Sequence, residues 1–250
     1  MIYLKSPPEI EKMRVANQIA VRVMKAMKAM VAPGISTMDL ENKANEIIKA
    51  DGARAAFKGY RGFQHALCVS VNEELVHGIP SSKKVLKEGD IVTVDCGIIK
   101  EGFYGDHAWT FPVGNVSANA KKILEVGEES LNIGIQKMKA GNRLFDISAA
   151  VQKYVEGKGY SIVRDFVGHG IGKELHEDPQ LPNFGEAGTG PLLKPGLVLA
   201  FEPMVNEGTY AVKTLSDGWT VVTADSKLSV HFEHSVAVTE KGPYILSSWS

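Results

Sequence analysis

The sequence contains few cysteines, no long apolar segment and almost no net charge. Two cysteines, Cys68 and Cys96, are too few for a disulfide framework, so a reducing, cytoplasmic setting is expected. No run approaches the roughly 18 apolar residues of a membrane span, and the start, MIYLKSPPEI, has too short an apolar run for a secretory signal. With 28 basic and 29 acidic residues, the chain has no broad field to attract nucleic acid or an anionic membrane. These absences favour a compact protein of enzyme size.

An internal repeat with an offset of 107 residues relates the two halves of the chain. The segment LKEGDIVTVD ends at Asp95 and the similar segment LKPGLVLAFE ends at Glu202. The same offset relates turn glycines and helix-capping residues further upstream. Single glycine matches arise by coincidence, but one offset that persists through a helix and the next strand indicates a duplication. We predict one domain, residues 1–250, with two pseudo-symmetric lobes of about 1–115 and 116–250.

Apolar periodicity predicts helices alternating with strands. The predicted helices span about 7–30, 37–50, 118–139 and 144–156. The predicted strands lie near 66–72, 91–98, 103–113, 160–167, 197–205, 219–223 and 229–239. The short connection between the second and third strands predicts an antiparallel hairpin. The expected architecture is α/β (α+β), with a central antiparallel sheet and helices outside.

Four acidic residues stand on these apolar strands, where an ionised carboxylate is costly. They are Asp95, Asp106, Glu202 and Glu233. Burial of one charge costs several kcal/mol unless another charge or a metal compensates it. A single acid of this kind is readily explained as a structural group bonded to a turn. The repeat, however, pairs Asp95 with Glu202 and Asp106 with Glu233, and this equivalence predicts a shared cation site.

His169, in the segment FVGHGIG, is predicted as a fifth ligand. Flanking glycines let the backbone approach a metal and leave the imidazole unshielded, although a lone histidine is more often a core residue. Four carboxylates balance the charge of two divalent cations. Carboxylate oxygens with one imidazole favour manganese, iron(II), cobalt or zinc over calcium. Two such ions can activate a water and polarise a carbonyl group, which predicts a hydrolase.

The six other histidines are interpreted from their sequence neighbours. His77 in VHGIP and His176 in LHEDP are candidates for contacts with substrate or a developing oxyanion, with a surface position as the alternative for each. Of the remaining four, the two predicted to be structural are His65 and His107. The two predicted to pack beside Glu233 are His231 and His234.

The motifs VHGIP, VDCG, GDHAWT, GHGIG with LHEDP, FEPM and FEHSVAVT, in this order, resemble those of type I methionine aminopeptidases, which have the two-lobed pita-bread fold. The resemblance covers nearly the whole chain. It implies two divalent metal ions bound by Asp95, Asp106, His169, Glu202 and Glu233. It also implies that Glu202 assists the attacking water and that His77 and His176 contact substrate. The implied reaction removes the initiator methionine of nascent proteins whose second residue is small.

The same resemblance implies an apolar pocket for the methionine side chain. Its residues would be Tyr60, Phe63, Cys68, Leu175 and Trp219. Many relatives have an aromatic residue at the position of Leu175, so a different pocket shape is expected. Asp106 and Glu233 lie 127 residues apart, which indicates about 20 extra residues near 206–227. This inserted stretch contains Trp219 and is predicted to shape the pocket.

Two other functions are compatible with the fold that the resemblance implies. A prolidase or proline-directed aminopeptidase has similar metal ligands but usually an additional N-terminal domain. A non-catalytic binding module would be expected to have lost metal ligands, and here all five are present. The expected partners are the N-termini of nascent polypeptides, with a transient ribosome association, no direct nucleic-acid or membrane binding, and a monomeric protein.

Overall fold

Four helices form the outer layer of the computed structural model, which describes residues 1–249. They are α1 (Pro7–Met30), α2 (Thr37–Ala50), α3 (Ala118–Lys137) and α4 (Leu144–Gly157). The predicted helices are confirmed to within two residues at each end. Along α1, Met13, Met24 and Met27 are fully buried, so these methionines fill the core. None of the helices in the described chain is long and apolar enough to cross a membrane.

Fifteen short strands among residues 1–249 form the inner layer. They are β1 (Arg54–Ala55), β2 (Leu67–Val71), β3 (Glu74–Val76), β4 (Ile91–Lys100), β5 (Phe103–Pro112), β6 (Ser161–Ile162), β7 (Gly168–Gly170), β8 (Glu177–Leu181), β9 (Val198–Phe201), β10 (Met204–Asn206), β11 (Val212–Thr214), β12 (Val221–Thr223), β13 (Ser229–His231), β14 (His234–Thr239) and β15 (Gly242–Ile245). All of their pairings are antiparallel. The predicted antiparallel strands with outer helices are confirmed, but the strands are divided among four sheets.

The sheets divide between the two halves of the chain. In the first half, β4 pairs with β5 along one edge and with β2 and β1 along the other. In the second half, one sheet has the order β15-β14-β9-β7-β8 and another has the order β13-β10-β6. The fourth sheet, β11-β12-β3, joins the inserted stretch near 206–227 to the first half. The insertion therefore folds back across the junction between the lobes.

The 107-residue offset is visible in the backbone. Helices α2 and α4 begin and end at equivalent positions. The third residue of each is an aspartate whose carboxylate accepts a hydrogen bond from the N-cap backbone, at 2.9 Å for Asp39 and 2.8 Å for Asp146. Isolated bridges join Ser36 to Val85 and Arg143 to Leu192, which are equivalent pairs. Separate apolar cores lie under α1 and α2 and under α3 and α4. The pseudo-symmetric lobes are thus confirmed.

Two predicted long strands are interrupted, and the interruptions lie at predicted ligands. The strand expected over 197–205 is divided into β9 and β10, with Glu202 in the gap. The strand expected over 229–239 is divided into β13 and β14, with Glu233 in the gap. Here the backbone leaves one sheet for another, so the strand pairings change on either side of each glutamate. Asp95, by contrast, lies in the middle of β4 rather than at its tip.

Strand β5 connects the two lobes. The Glu233 N–H donates to the Ala108 carbonyl at 2.9 Å, although 125 residues separate them. Thr110 Oγ1 both accepts from the His231 N–H, at 3.0 Å, and donates to the His231 carbonyl, at 2.8 Å. These bonds fix the position of the second-lobe acids relative to the aspartates of the hairpin formed by β4 and β5.

Candidate active site

All of the predicted site residues line one cavity of about 280 Å³ between the two lobes. They are Tyr60, Phe63, Cys68, His77, Asp95, Asp106, His169, Leu175, His176, Glu202, Trp219 and Glu233. Residues from distant parts of the chain therefore meet here. Phe57, Arg61 and Phe166 also line the cavity and were not predicted.

The hairpin positions two of the acids by strand register. Asp95 on β4 pairs with Cys68 on β2, and Asp106 on β5 pairs with Gly97 on β4. Because strand neighbours two positions apart share a face, Asp95, Gly97 and Asp106 lie on the same side of the hairpin. The opposite side carries the buried residues of the first-lobe core. The side chain of Asp95 therefore points away from the apolar core of the first lobe.

Gly97 is required beside these aspartates because a loop lies close over it. A Cβ atom added to Gly97 would lie 2.6 Å from Phe57 Cε1 and 2.9 Å from Ala56 Cβ. Residues 56–66 leave the sheet here, between β1 and β2, and return to the same edge of β4. This segment, the rim loop, carries Tyr60, Arg61 and Phe63 to the cavity.

His169 lies on β7 with a glycine on either side. An added Cβ at Gly168 would meet the Ala200 carbonyl oxygen at 2.6 Å, and one at Gly170 would meet the Asp178 carbonyl oxygen at 2.2 Å. The glycines therefore permit β8 and β9 to approach closely, a packing reason that differs from the predicted approach to a metal. His169 Nδ1 lies 2.9 Å from the Gly170 carbonyl oxygen and can only donate to it, which leaves the Nε2 lone pair directed elsewhere.

The Nε2 atom of His169 is directed at the acids. It lies 3.5 Å from Glu202 Oε1 and 4.0 Å from Asp106 Oδ2. Ligand atoms of Asp106, His169 and Glu233 all lie within 4.8 Å of one another, and all three side chains are buried. Donor atoms this close together, in a buried site, can surround a metal ion.

The four acids, here named the carboxylate cluster (Asp95, Asp106, Glu202 and Glu233), are electrostatically uncompensated. No Lys or Arg side chain within residues 1–249 makes an ion pair with any of them. Burial, reinforced by the neighbouring carboxylates, raises the pKa of Asp95, Glu202 and Glu233 well above the ordinary range. Burial raises the pKa of Asp106 to about 7.

Several oxygens of the carboxylate cluster lack hydrogen-bond partners in the described chain. They are Oδ1 of Asp95, Oδ1 of Asp106 and Oε1 of Glu233. An orphaned buried oxygen is destabilising unless something polar occupies its lone pairs. Burial lowers the pKa of His169 to about 3, so its imidazole is neutral and available as a ligand. The cluster therefore has the charge, the free lone pairs and the ligand types that divalent cations require.

Two predicted substrate-contacting histidines flank the carboxylate cluster. His176 Nδ1 lies 2.8 Å from the Tyr60 hydroxyl, and the His176 ring centroid lies 4.2 Å from that of His169. His77 has a left-handed backbone, with φ of 60°, and stacks edge-on against Phe166. Burial lowers the pKa of His77 to about 4, and burial followed by the Arg61 charge lowers the pKa of His176.

The apolar side of the cavity combines the rim loop with the inserted stretch. Trp219 meets Phe63 edge-on, with ring centroids 5.1 Å apart. Leu175 and Cys68 are buried in the same wall. Burial raises the pKa of the Cys68 thiol well above its usual range, so this sulfur is a neutral wall group. The predicted contribution of the insertion is thus reflected in the position of Trp219.

His231 is a site residue that the sequence interpretation placed only beside Glu233. Its Nε2 lies 3.5 Å from Glu202 Oε2, and its Nδ1 has no hydrogen-bond partner among the described residues. The sequence carries no local signal for this contact, because the proximity of His231 to Glu202 depends on how β13 pairs with β10. Another buried histidine, His107 on β5, also contacts this segment. Its Nδ1 donates to the Glu233 carbonyl at 2.6 Å, and its ring stacks on the His234 ring.

Comparisons with known proteins agree with this geometry. Residues 11–240 match the model of metallopeptidase family M24. Methionine aminopeptidase 1 of Bacillus subtilis is 55% identical over 247 residues, covering 99% of both chains. The crystal structure of methionine aminopeptidase from Thermotoga maritima superposes with a TM-score of 0.98 at 47% identity, covering 99% of this chain and 100% of that one. A Xaa-Pro dipeptidase from Bacillus anthracis gives a TM-score of 0.79 at 26% identity, and 62% of its length is covered.

Proposed function

Because the chain belongs to metallopeptidase family M24, we propose that it removes the initiator methionine from nascent polypeptides whose second residue is small. The pita-bread fold and the full-length likeness to methionine aminopeptidases make it a hydrolase, a metal-dependent exopeptidase. The observation that carries the substrate proposal is one cavity in which the carboxylate cluster and His169 face an apolar pocket. The free amino terminus of a peptide fits the side with the carboxylates, and the thioether side chain of methionine fits the apolar side.

The proposed metal ligands are the five residues predicted from the sequence. Asp95, Asp106, His169, Glu202 and Glu233 would hold two divalent ions, of cobalt, manganese, iron(II) or zinc. The orphaned carboxylate oxygens and the neutral His169 imidazole support this assignment. Four ionised carboxylates also balance the charge of two such ions. When bound, divalent ions supply Lewis acidity, which makes a water molecule more acidic and polarises the scissile carbonyl group.

Glu202 is proposed as the general base. It accepts a proton from the water that attacks the scissile carbonyl carbon, and then passes it to the departing amine. One of its oxygens lies 3.5 Å from His169 Nε2 and the other 3.5 Å from His231 Nε2. Both imidazoles are neutral at pH 7, so neither of them neutralises the charge of the Glu202 carboxylate.

His176 and His77 are proposed to bind the peptide group. When the Tyr60 hydroxyl donates to His176 Nδ1, the neutral ring carries its proton on Nε2, where it can donate to the oxygen of the tetrahedral intermediate. His77, which is also neutral at pH 7, hydrogen-bonds the substrate backbone on the other side.

The methionine side chain is proposed to occupy the apolar wall of the cavity. Phe63, Cys68, Leu175 and Trp219 enclose it, and Tyr60 closes the side next to His176. A flexible thioether adapts to irregular apolar space and contacts aromatic edges favourably. The second residue must be small because the same cavity of about 280 Å³ also holds the start of the following peptide.

The wider setting of the protein is proposed from the same resemblance. Residues 1–250 act as one catalytic domain, with lobes of about 1–115 and 116–250, as a monomer in the cytoplasm. Its partners are the N-termini of nascent chains and, transiently, the ribosome. The near-zero net charge supports the absence of direct nucleic-acid or membrane binding.

The function is tested with the peptide Met-Ala-Ser. The protein is stripped with a chelator and assayed for methionine release after re-addition of manganese, iron(II), cobalt or zinc one at a time, with an Ala-Pro peptide in parallel. We expect no activity without metal, recovery with at least one ion, and no cleavage of Ala-Pro. Faster cleavage of the Ala-Pro peptide than of Met-Ala-Ser would overturn the proposal. Metal uptake without any release of methionine would also overturn it.

The role of Glu202 is tested by Glu202→Gln. Loss of the general base should lower kcat by about 10² to 10⁴. Metal content is measured alongside, because Glu202 is also a proposed ligand. Glu240→Gln, at an exposed position, is the matched control and should keep full activity. A Glu202→Gln protein that retains most of its turnover would exclude the proposed role.

A further inference from the structure

A second cavity, here named the basic groove, opens on the surface beside the rim loop. It has a volume of about 560 Å³ and is lined by the cationic residues Lys49, Arg54 and Lys58, together with Tyr60, Tyr104 and Ile99. All three cationic side chains are exposed. No carboxylate lines the groove, and its floor is aliphatic. It therefore presents positive charge over an apolar surface.

No ion pair within residues 1–249 neutralises the cationic side chains of the basic groove, although Lys49 and Lys58 also line a neighbouring pocket that contains Glu41 and Glu46. Lys49, Arg54 and Lys58 make no ion pair with any residue in the described part of the chain. The nearby Asp51 carboxylate is already paired with Arg22, at 2.8 Å. Lys100 Nζ donates to the carbonyls of Asp51 and Gly52, at the end of α2, so these acceptors are also occupied. The groove is thus available to an external anion.

The basic groove adjoins the catalytic cavity at the rim loop. Tyr60 lines both, with its hydroxyl on His176 inside the catalytic cavity. Lys58 lies in the groove, and Arg61, three residues along the rim loop, lines the catalytic cavity and stacks its guanidinium 5.3 Å from the Tyr60 ring. The rim loop therefore carries a line of cationic side chains from the groove to the mouth of the catalytic cavity.

A peptide substrate must extend beyond the catalytic cavity. At about 280 Å³ the cavity lies at the small end of the range for ligand sites, so it takes the methionine and the next small residue only. The third and following residues must cross the rim. Of the two cavities that share Tyr60, the basic groove is the one outside the reaction centre.

We propose that the basic groove is a substrate subsite that binds acidic side chains at the third and following positions after the initiator methionine. This inference rests on the proposed aminopeptidase function and adds a preference in the downstream sequence. Charge complementarity supplies the attraction, and the aliphatic floor and Tyr104 contact the extended chain. The position of the groove beside the catalytic cavity favours a peptide over RNA as the occupant, as does the net charge of −1 for the whole chain.

The test compares peptides that differ only in downstream charge. Met-Ala-Ser is extended by Glu-Glu-Glu, Gln-Gln-Gln or Lys-Lys-Lys, and kcat and KM for methionine release by the metal-loaded protein are measured at low and at high salt. Exposed ion pairs are individually weak, so three together predict a KM about tenfold lower for the Glu peptide than for the Gln peptide. The Lys peptide should have the highest KM. High salt should remove most of the difference, and kcat should be unchanged.

A groove variant provides the second arm. Arg54→Gln combined with Lys58→Gln should raise KM for the Glu peptide at least threefold and leave Met-Ala-Ser itself unaffected. The matched control is Lys121→Gln with Lys122→Gln, which removes two exposed charges from α3 in the other lobe. The control should behave as the unsubstituted protein with every peptide.

The outcomes separate this inference from the proposed function. If Met-Ala-Ser is not cleaved, the aminopeptidase proposal fails. If Met-Ala-Ser is cleaved but all three extended peptides share one KM, or the groove and control variants behave alike, the subsite is disproved. If a uridine oligonucleotide inhibits the unsubstituted protein but not the groove variant, while peptide charge has no effect, the groove is an RNA site and the inference is wrong.

Discussion

Divalent-cation binding at the carboxylate cluster should release protons. In the metal-free protein, burial raises the pKa of Asp106 to about 7 and holds the pKa of the other three acids well above their ordinary values. At pH 6.5 the cluster therefore retains protons that exposed carboxyl groups would have lost. Cations bind the ionised form, so these protons must leave. The neighbouring His169 and His231 release none, because their pKa values of about 3 leave them neutral already.

The magnitude follows from linkage. Below its pKa, each proton that must be displaced costs about 1.4 kcal/mol per pH unit, a factor of ten in affinity. With a pKa of about 7, Asp106 is mostly protonated at pH 6.5, and the raised pKa of the other three acids acts in the same direction. We therefore expect proton release on metal binding at pH 6.5, and a rise of about fivefold or more in the apparent Kd as pH falls from 7 to 6. The sign is fixed by the raised pKa: lower pH weakens binding.

The assay is calorimetric titration of the metal-free protein with manganese. Titrations at pH 6.5 in buffers of different ionisation enthalpy give the number of protons released, and a series from pH 6 to 7.5 at constant ionic strength gives the slope of log Kd. Exposed acids of ordinary pKa would be fully ionised throughout this range. Zero proton release together with a Kd independent of pH would refute the reasoning, since the acids would then be ionised before any cation arrives.

Three substitutions test other parts of the site. Tyr60→Phe removes the hydroxyl 2.8 Å from His176 Nδ1, so kcat for Met-Ala-Ser should fall about tenfold with little change in KM; an unchanged kcat would show that the bond does not orient the ring. Trp219→Ala opens the apolar wall, so KM for Met-Ala-Ser should rise about tenfold in steady-state assays. A KM equal to that of the unsubstituted protein would show that Trp219 does not contact the methionine side chain. Gly97→Ala places a Cβ 2.6 Å from Phe57 Cε1, so denaturant unfolding should show a loss of about 1–3 kcal/mol, and an undiminished midpoint would mean that the rim loop yields freely.

Strand alternation and helix periodicity were sufficient to predict much of the fold. Helix ends were predicted to within two residues because caps and apolar stripes are local features. The interruptions at Glu202 and Glu233 were missed, since an apolar run with β-branched residues has the same pattern whether its strand continues or changes sheets. The short strands β1, β3, β7, β8, β11 and β15 were also not predicted, because they are defined by distant partners. The strand expected over 160–167 is only the two-residue β6.

The residues of the candidate site were likewise predicted only in part from the sequence. Charge cost in apolar strands identified all four acids before any contact was known, and the repeat paired them. His231 escaped because its proximity to Glu202 depends on how β13 and β10 pair. The packing of β8 and β9 against the glycines around His169 was not predicted, since this close approach is a tertiary contact.

The sequence by itself determined the chemical inventory of this protein: the four acids in apolar strands, the helices outside them, and the relation between the two halves. These properties depend on residue type and on spacing within a few turns or strands. Only the tertiary structure decided that the acids converge, that burial raises their pKa, and that the basic groove lies beside the catalytic cavity at Tyr60. The convergence of the acids depends on contacts between residues more than a hundred positions apart, such as Ala108 with Glu233, and local pattern carries no record of such distances.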